Sequence, residues 1–340
     1  VIMFSIGIGI GTKNVEDAWL EVFYPRPLLQ PSPDLIESFG KVIDFSASEG
    51  VLPLDEAARS ALCDCIENPE QLGLLKALQN SQKPCVLTWL KTDGPITSTP
   101  AAYLKLHLLS HGLTRPNSLN LDGIYAALPN IAWTSEGPMA LSALPDAMLS
   151  ARVEGRHLEV TSLDKFPKLT NYVVPEGVRI ADSARVRLGA YLGAGTTVMH
   201  EGFVNFNAGT EGPNMVEGRI SQGVFVAKGT DLGGSASTAG TLSGGGNHVI
   251  TIGEDCLISA NAGTGISLGD RCTIEAGLYI TPGTQVSLLD ENGETVKTLK
   301  ARELNGLSDL LFIRHSQTGV VQCRTNRQAI ALNAQLHQHN

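Results

Sequence analysis

From about residue 178 to residue 286 an aliphatic side chain returns at every sixth position. The series runs Ile180, Val186, Leu192, Val198, Val204, then Ile220, Val226, Leu232, then Ile252, Ile258, then Leu268, Ile274, Ile280, Val286. A helix repeats every 3.6 residues and a half-buried strand every 2, so neither accounts for a period of six. A hexapeptide repeat does, with one short flat strand and one corner per six residues and one aliphatic side chain turned inward. Three such sides close a triangular coil of about 18 residues, and stacked coils form a parallel β-helix around one continuous core. Gly, Ala, Asp or Glu commonly follows the aliphatic by one or two places, as in Leu188-Gly189, Leu192-Gly193 and Leu268-Gly269. Such residues suit a chain that bends at every corner. A Gly-rich β-sandwich would instead show alternation and irregular spacing.

The repeat is broken three times, by 16 residues from Val204 to Ile220, 20 from Leu232 to Ile252 and 10 from Ile258 to Leu268. In a solenoid, insertions leave the wall as loops on one face, which is often the binding face. The first break carries Asn205, Asn207, Glu211, Asn214 and Glu217. The second carries Ser235, Ser237, Thr238, Thr241, Ser243 and Gly244-Gly245-Gly246. Polar side chains and bare backbone are therefore expected to gather where the wall is interrupted. Solvated surface turns are the plainer reading of the same residues.

At 340 residues the chain is long enough for two or three units. A formal charge of −9 and a pI near 5.4 argue against a nucleic-acid partner. Cys63, Cys65, Cys85, Cys256, Cys272 and Cys323 have no metal-ligand spacing, and the two within the repeat read as small apolar residues. A reduced, cytoplasmic protein is expected. Val1–Ile10 lacks a cationic leader and a cleavage site and reads as a strand; no apolar run reaches a membrane span, so no membrane partner is expected.

In chain order, residues 1–125 read as a mixed α/β N-terminal domain. Strands are expected at Val1–Ile10 and Lys83–Leu90, and helices at Asn14–Phe23, Ser32–Phe39, Pro53–Glu67 and Glu70–Leu78. A further helix starts at Ser98-Thr99-Pro100. It carries His107 and, four residues on, His111, but H-L-L-S-H lacks the acidic second residue of the zincin pattern, so packing or surface is the expectation. Residues 126–172, rich in Pro and Asn, connect to the coil, with a helix near Ala140–Ala151. The coil fills 173–288. A C-terminal extension, 289–340, holds strands at Thr295–Lys300 and Leu310–Arg314 and a closing helix at Asn326–Leu336.

No G-x-S-x-G elbow or Walker loop is present, and the Gly-rich runs lack the strand–turn–helix context of a dinucleotide fingerprint. Polar breaks and scattered cations (Arg185, Arg187, Arg219, Lys228, Lys300, Arg314) suit an elongated anion lying along a groove; each taken singly is as well explained by a solvated corner.

The stretch R-V-R-L-G-A-Y-L-G-A-G-T-T-V-M-H-E-G-F-V-N-F-N-A-G-T from Arg185, followed by M-V-E-G-R-I-S at 215–221, resembles the tetrahydrodipicolinate N-succinyltransferase family. So do G-T-L-S-G-G-G at 240–246, A-N-A-G at 260–263, L-G-D-R-C at 268–272, E-A-G-L-Y-I-T at 275–281 and L-L-F-I-R-H-S at 310–316. The likeness is to the larger, actinobacterial and pseudomonad branch and covers most of residues 165–320.

This resemblance implies a left-handed parallel β-helix and a homotrimer with active sites between subunits. It implies transfer of the succinyl group of succinyl-CoA, the co-substrate, to the amine of a ring-opened amino-oxo-pimelate in lysine and diaminopimelate biosynthesis. Glu217 takes the catalytic position, either as nucleophile forming an acyl-anhydride or as the base that deprotonates the amine. The CoA thioester falls to Arg219, Gly234, Ser237, Ala260, Glu275, Ala276, Gly283, Lys300, Arg314 and Ser316, with the cations on phosphates. Where relatives have R-R-N-S this chain has Ile313-Arg314-His315-Ser316, one cation fewer. Some relatives hold a divalent metal such as Mg2+ on the trimer axis; here Glu201 would be a ligand, but Ala184 stands where the second carboxylate belongs. Two alternatives stay open. One is another hexapeptide enzyme, either a different N-acyltransferase or a γ-type carbonic anhydrase, for which only His200 and His248 fall in the coil. The other is a non-catalytic trimeric scaffold.

Overall fold

The computed structural model describes residues 3–240 and 249–325. Its contacts gather into two units: Val1–Leu108 with Ser118–Pro167 and Asn171–Val173, and Leu109–Asn117 with Lys168–Thr170 and Val174–Asn340.

The first unit is built on an antiparallel sheet in the order Trp19–Phe23, Ser5–Lys13, Cys85–Leu90, Glu49–Pro53, with Leu28–Leu29 also on Ser5–Lys13. Ser5–Lys13 alternates Ile with Gly. Ile6 and Ile8 join a core with Leu35, Phe39, Leu62 and Leu75 from the helices Pro33–Gly40, Glu56–Cys65 and Pro69–Leu78. The glycine face lets an aromatic ring lie against the strand, since a Cβ on Gly7 would come within 2.7 Å of the Tyr24 ring. Within Thr99–Ser110, His107 is fully buried. Its Nε2 accepts from the Tyr24 N–H, so Nδ1 carries the proton that is donated to the Tyr103 carbonyl. It is a satisfied core histidine, as the packing reading had it.

The helix expected at Asn14–Phe23 is not formed. The Asn14 side chain accepts from the N–H groups of Glu16 and Ala18, Asp17 takes φ 64°, and Trp19–Phe23 returns as a strand against Ile10–Lys13. A side chain that caps its own turn outcompetes the helix. The remaining pieces of this unit are a three-stranded sheet (Gly137–Ala140, Ile131–Thr134, Val160–Asp164) and the helix Leu144–Val153.

Glu21 is buried in this unit and accepts from the Tyr172 hydroxyl at 3.1 Å. Desolvation raises its pKa above the ordinary carboxylate value, against hydrogen bonds from Thr12 and Tyr172 that pull it down. A raised carboxyl binds its proton more tightly folded than unfolded. Its stabilising contribution is complete below the unfolded value and is lost as pH rises through the folded one. Glu21→Gln should therefore melt higher than the wild type at pH 8, with the difference shrinking toward pH 4 in thermal scans. A gap that widens on acidification would refute this.

The second unit is the coil. Inward residues stack in three columns, one per side. The first side holds Ile180, Val198, Val216, Leu232, Ile258, Ile274 and Phe312. The second holds Val186, Val204, Ile220, Thr238, Thr264 and Ile280, and the third Leu192, Thr210, Val226, Ile252 and Leu268. All pairings between rungs of the three sides are parallel, and nearly every inward residue is fully buried.

The columns correct the reading of the breaks. Thr210, Thr238 and Thr264 occupy inward positions that a search for aliphatics passes over, and each is fully buried. Their hydroxyls are satisfied inside the wall: Thr210 with Thr196 at 2.8 Å, Thr238 on the Arg219 carbonyl, Thr264 on the Ile266 carbonyl. Counted through them, the first and third breaks are no excursions; the first has two six-residue steps and the third has one, each ending in one short side, Val216 to Ile220 and Thr264 to Leu268. Asn214, expected in a loop, is buried wall, donating to the carbonyls of Ala227 and Thr230. The second break does carry an insertion, between Thr238 and Ile252; Thr241, Ser243 and Gly244-Gly245-Gly246 lie outside the described residues, as do His248 and the expected helix Asn326–Leu336.

Left-handed backbone falls three places past the inward residue rather than one or two, as at Asn207, Ser235, Asn261 and Gly277. Glycines one place past serve close stacking, since a Cβ on Gly193 would sit 1.8 Å from the Glu211 carbonyl oxygen of the next rung. After Ile280 the chain makes a hairpin, Gln285–Leu289 with Thr295–Lys300, then lays Leu310–Arg314 parallel to Thr273–Ile274. The extension thus supplies the last rung of the first side.

Candidate active site

The corner between the first and second sides collects most of the expected site. Glu217 follows the inward Val216, Gly234 follows Leu232 by two, Ala260 follows Ile258 by two, Glu275 and Ala276 follow Ile274, and Arg314 follows Phe312 by two. Rungs stack about 4.8 Å apart, so Glu217 and Arg314, four rungs apart, are separated by about 19 Å along one edge.

Backbone bonding along this edge is regular. The N–H groups of Glu217, Gly233, Ser259 and Glu275 donate to the inward residue of the next rung, and those of Ser235, Asn261 and Gly277 donate back across the corner. Between them, the N–H groups of Gly234, Ala260 and Ala276 make no hydrogen bond within the described residues. They form a row of donors at rung spacing, bordered by small side chains. A chain edge of this kind pairs with an extended ligand bearing amides, as a sheet edge pairs with a strand.

Glu217 is half-buried, and its backbone is fixed by the Leu232 carbonyl at 2.8 Å and the Ser235 N–H at 3.2 Å. A Cβ placed on Gly234 would be 3.9 Å from Oε2, so the carboxylate stands over the bare backbone of that residue. The free N–H of Gly234 is thus a donor beside the carboxylate.

Around the corner, on the second side, Arg219 and Ser237 are rung neighbours, and Arg219 Nε donates to Ser237 Oγ at 2.9 Å. They line an open groove of 450 Å³ with Ser221, Gly265, Tyr279 and Thr281. Gly263 intervenes in the same column, and a Cβ there would meet the Tyr279 ring at 2.3 Å, so its bareness is what lets that ring lie in the groove. Tyr279, Gly263 and Ser221 were missed in the sequence. The signal was available: Tyr279 precedes the inward Ile280 by one, as Arg219 precedes Ile220, so both face outward on one column.

Gly283 and Lys300 meet at the base of the hairpin, where the Ala301 N–H donates to the Thr284 carbonyl and Arg302 N–H to that of Pro282. Lys300 is exposed, its N–H held by Glu303. Arg314 is exposed too, and its N–H donates to Glu275 Oε2 at 2.7 Å, tying the last two rungs of the edge together. Ser316 follows in a tight turn closed by His315 and Gly319.

Two family models match the chain, a hexapeptide repeat of succinyl-transferase over residues 249–282 and the middle part of tetrahydrodipicolinate N-succinyltransferase over 128–168. The chain is 58% identical over 340 residues to the 2,3,4,5-tetrahydropyridine-2,6-dicarboxylate N-succinyltransferase of Pseudomonas paraeruginosa, spanning 99% of both proteins. It is 49% identical over 341 residues to the Vibrio cholerae protein of that name, again over 99% of each. The chain belongs to the tetrahydrodipicolinate N-succinyltransferase family. A solved Campylobacter jejuni structure, described as a 2,3,4,5-tetrahydropyridine-2-carboxylate N-succinyltransferase, superposes with a TM-score of 0.88 at 32% identity, covering 96% of this chain and 93% of that one. The coil is accordingly the left-handed β-helix of these acyltransferases, joined to an N-terminal α/β unit.

The residues around Glu201 do not fit the metal that some succinyltransferases of this family hold. Glu201 is exposed, and its carbonyl and that of Gly202 accept from the Arg185 guanidinium. A cation fixed there opposes a dication, and Ala184 brings no carboxylate. Among the described residues no group of three or more His, Cys, Asp or Glu could hold a metal ion.

Proposed function

We propose that the Glu217 edge is the transfer site of an N-succinyltransferase that moves the succinyl group of succinyl-CoA to the amine of ring-opened tetrahydrodipicolinate, the succinylating step of lysine and diaminopimelate biosynthesis. The observation that carries this reading is the row of free N–H groups at Gly234, Ala260 and Ala276, leading from Glu217 toward exposed cations. An extended CoA arm laid on that edge pairs its amides with the row. Lys300, near Gly283, and Arg314, beside Ser316, then stand at the end away from Glu217 to meet phosphates. The carbonyl of the thioester comes to rest beside Glu217, where the Gly234 N–H can take the developing oxyanion.

Attack by the amine on the thioester forms the amide bond and releases CoA as thiol. The ammonium must lose a proton on the way. Glu217 either accepts that proton directly or first takes the acyl group as an anhydride that the amine then opens. The reading further holds that the chain acts as a cytoplasmic homotrimer; no helix among the described residues is long and apolar enough to cross a membrane.

Release of free CoA thiol from succinyl-CoA, with and without the tetrahydrodipicolinate-derived amine, tests the reaction. Release that depends on the amine is the expected result. Folded protein that binds CoA yet releases no thiol with this acceptor would assign the site to another acyl transfer.

A further inference from the structure

Glu217 stands in the short step between the first and second columns. The other steps around this edge take six residues, Ile180 to Val186, Val198 to Val204, Leu232 to Thr238, Ile258 to Thr264 and Ile274 to Ile280, whereas Val216 to Ile220 takes four. The rungs on either side turn the corner with four residues, Met199-His200-Glu201-Gly202 and Gly233-Gly234-Ser235-Ala236. Each closes as a tight turn, the Gly202 N–H on the Met199 carbonyl and the Ala236 N–H on the Gly233 carbonyl, both at 2.9 Å. The rung between them has only Glu217 and Gly218 at the corner, and two residues reach less far out than four. Exposure agrees: Glu217 is half-buried and Gly218 buried, while His200, Glu201 and Ser235 on the flanking corners are exposed. Those corners lie two rungs apart, about 10 Å. Glu217 is thus the floor of a notch.

Its two lips differ. Gly233–Ala236 is bare and opens the row of N–H groups assigned to the CoA arm. The opposite lip carries side chains, and its backbone is held from three directions. Besides the turn bond, the Arg185 guanidinium donates to the Glu201 and Gly202 carbonyls at 3.0 Å, and the Phe203 N–H donates to the Gly218 carbonyl at 3.0 Å. His200 stands on this fixed lip, one rung and one residue from Glu217, so their Cα atoms lie within about 9 Å. Its ring makes no hydrogen bond or ion pair among the described residues. An imidazole offers an N–H donor whether it is neutral or charged.

We propose that the notch seats the amine acceptor and that His200 holds the carboxylate next to its amine, so that the nitrogen faces Glu217. This rests on the succinyl-transfer reading. With the thioester arriving over the bare lip, the acceptor is left the opposite one. The nitrogen and the carboxylate carbon of an amino acid are about 2.5 Å apart, so one molecule reaches both Glu217 and His200 across the notch. A hydrogen bond from His200 to that carboxylate fixes which way the amine points. Arg185, which touches only the lip's carbonyls, is in this scheme a positioning residue.

The test compares full-length wild type, His200→Ala, His200→Gln and Arg185→Met. It reads KM for the tetrahydrodipicolinate-derived amine and for succinyl-CoA, and calorimetric binding of the amine to protein saturated with CoA. A second acceptor lacks the carboxylate next to the amine. His200→Ala should raise KM for the full acceptor about 10- to 100-fold and weaken its binding as much, with KM for succinyl-CoA unchanged. His200→Gln keeps an N–H donor and should recover part of that loss. The truncated acceptor should bind the wild type more weakly by the same factor and be indifferent to the His200 substitutions. Arg185→Met should raise KM for the full acceptor and not for the truncated one, and it decides the matter if the His200 variants fail to fold by circular dichroism. An equal loss with both acceptors would overturn the proposal, as would a change confined to KM for succinyl-CoA. A wild type that binds the acceptor through His200 yet transfers nothing refutes the succinyl-transfer reading and leaves the notch assignment standing. Transfer with an unaltered KM for the amine in folded His200→Ala refutes the assignment and leaves that reading standing. An acceptor that neither binds nor reacts overturns both.

Discussion

Glu217→Gln should lower amine-dependent thiol release by about a hundredfold to ten-thousandfold, with the affinity for CoA little changed. The amide has the shape of the carboxylate but neither accepts a proton at neutral pH nor attacks a thioester. Folding should survive, because the bonds recorded for Glu217 run from its backbone, to the Leu232 carbonyl and the Ser235 N–H, while its side chain stands over Gly234. The same protein separates the two mechanisms. If Glu217 is a nucleophile, wild-type enzyme mixed with succinyl-CoA alone releases a burst of up to one thiol per site, and the burst is absent from Glu217→Gln. If Glu217 is a base, neither protein shows a burst and only the amine-dependent rate falls. Full activity in Glu217→Gln, with the protein folded, would remove this residue from the chemistry altogether.

The coil was legible because its signal is repeated many times and rests on one physical demand, an inward apolar side chain per side. Ile180 through Val204 are read correctly for that reason. The same search went wrong at Thr210, Thr238 and Thr264, since it asked for hydrophobicity where the wall asks for a side chain of suitable size. A threonine meets that demand once its hydroxyl finds a partner in the wall. Passing over them made wall residues such as Asn214 look like loop. The column rule also accounts for the site: Glu217, Gly234, Ala260 and Ala276 share an edge because each trails an inward residue by one or two. The free N–H groups of Gly234, Ala260 and Ala276 belong to the backbone, and no residue type announces them. The column rule also puts Tyr279 on the outer face, one place before the inward Ile280, but that its ring lies in the groove depends on the missing side chain of Gly263, one rung away. In the N-terminal unit the helix expected at Asn14–Phe23 failed on a local detail, the Asn14 turn, which outweighed an apolar pattern equally compatible with the strand Trp19–Phe23.

Gly209→Ala should be strongly damaging to the coil, and comparison with Gly277→Ala shows why. Gly209 sits in the third side between Tyr191 and Phe225, whose rings meet edge to face at 5.9 Å. A Cβ at this position would stand 1.9 Å from the Tyr191 carbonyl oxygen and 3.0 Å from the Tyr191 Cβ. Backbone has to move, so the rungs part and the bond from the Gly209 N–H to the Val224 carbonyl is strained. Overpacking of this sort costs about 1–3 kcal/mol, and each weakened ladder bond adds about 1 kcal/mol. A total of about 4 kcal/mol is a large part of the stability of an ordinary domain. Each rung rests only on its neighbours, so a fault in the middle of the stack separates the coils on either side. Gly277 differs: its φ is 75° and nothing lies within 4 Å of a Cβ there, so alanine meets only the left-handed backbone penalty of about 1–2 kcal/mol. Thermal melts should therefore rank wild type above Gly277→Ala and Gly277→Ala well above Gly209→Ala, with soluble yield in the same order. A Gly277→Ala protein less stable than Gly209→Ala would mean that corner conformation, not the approach of one rung to the next, limits what this wall accepts.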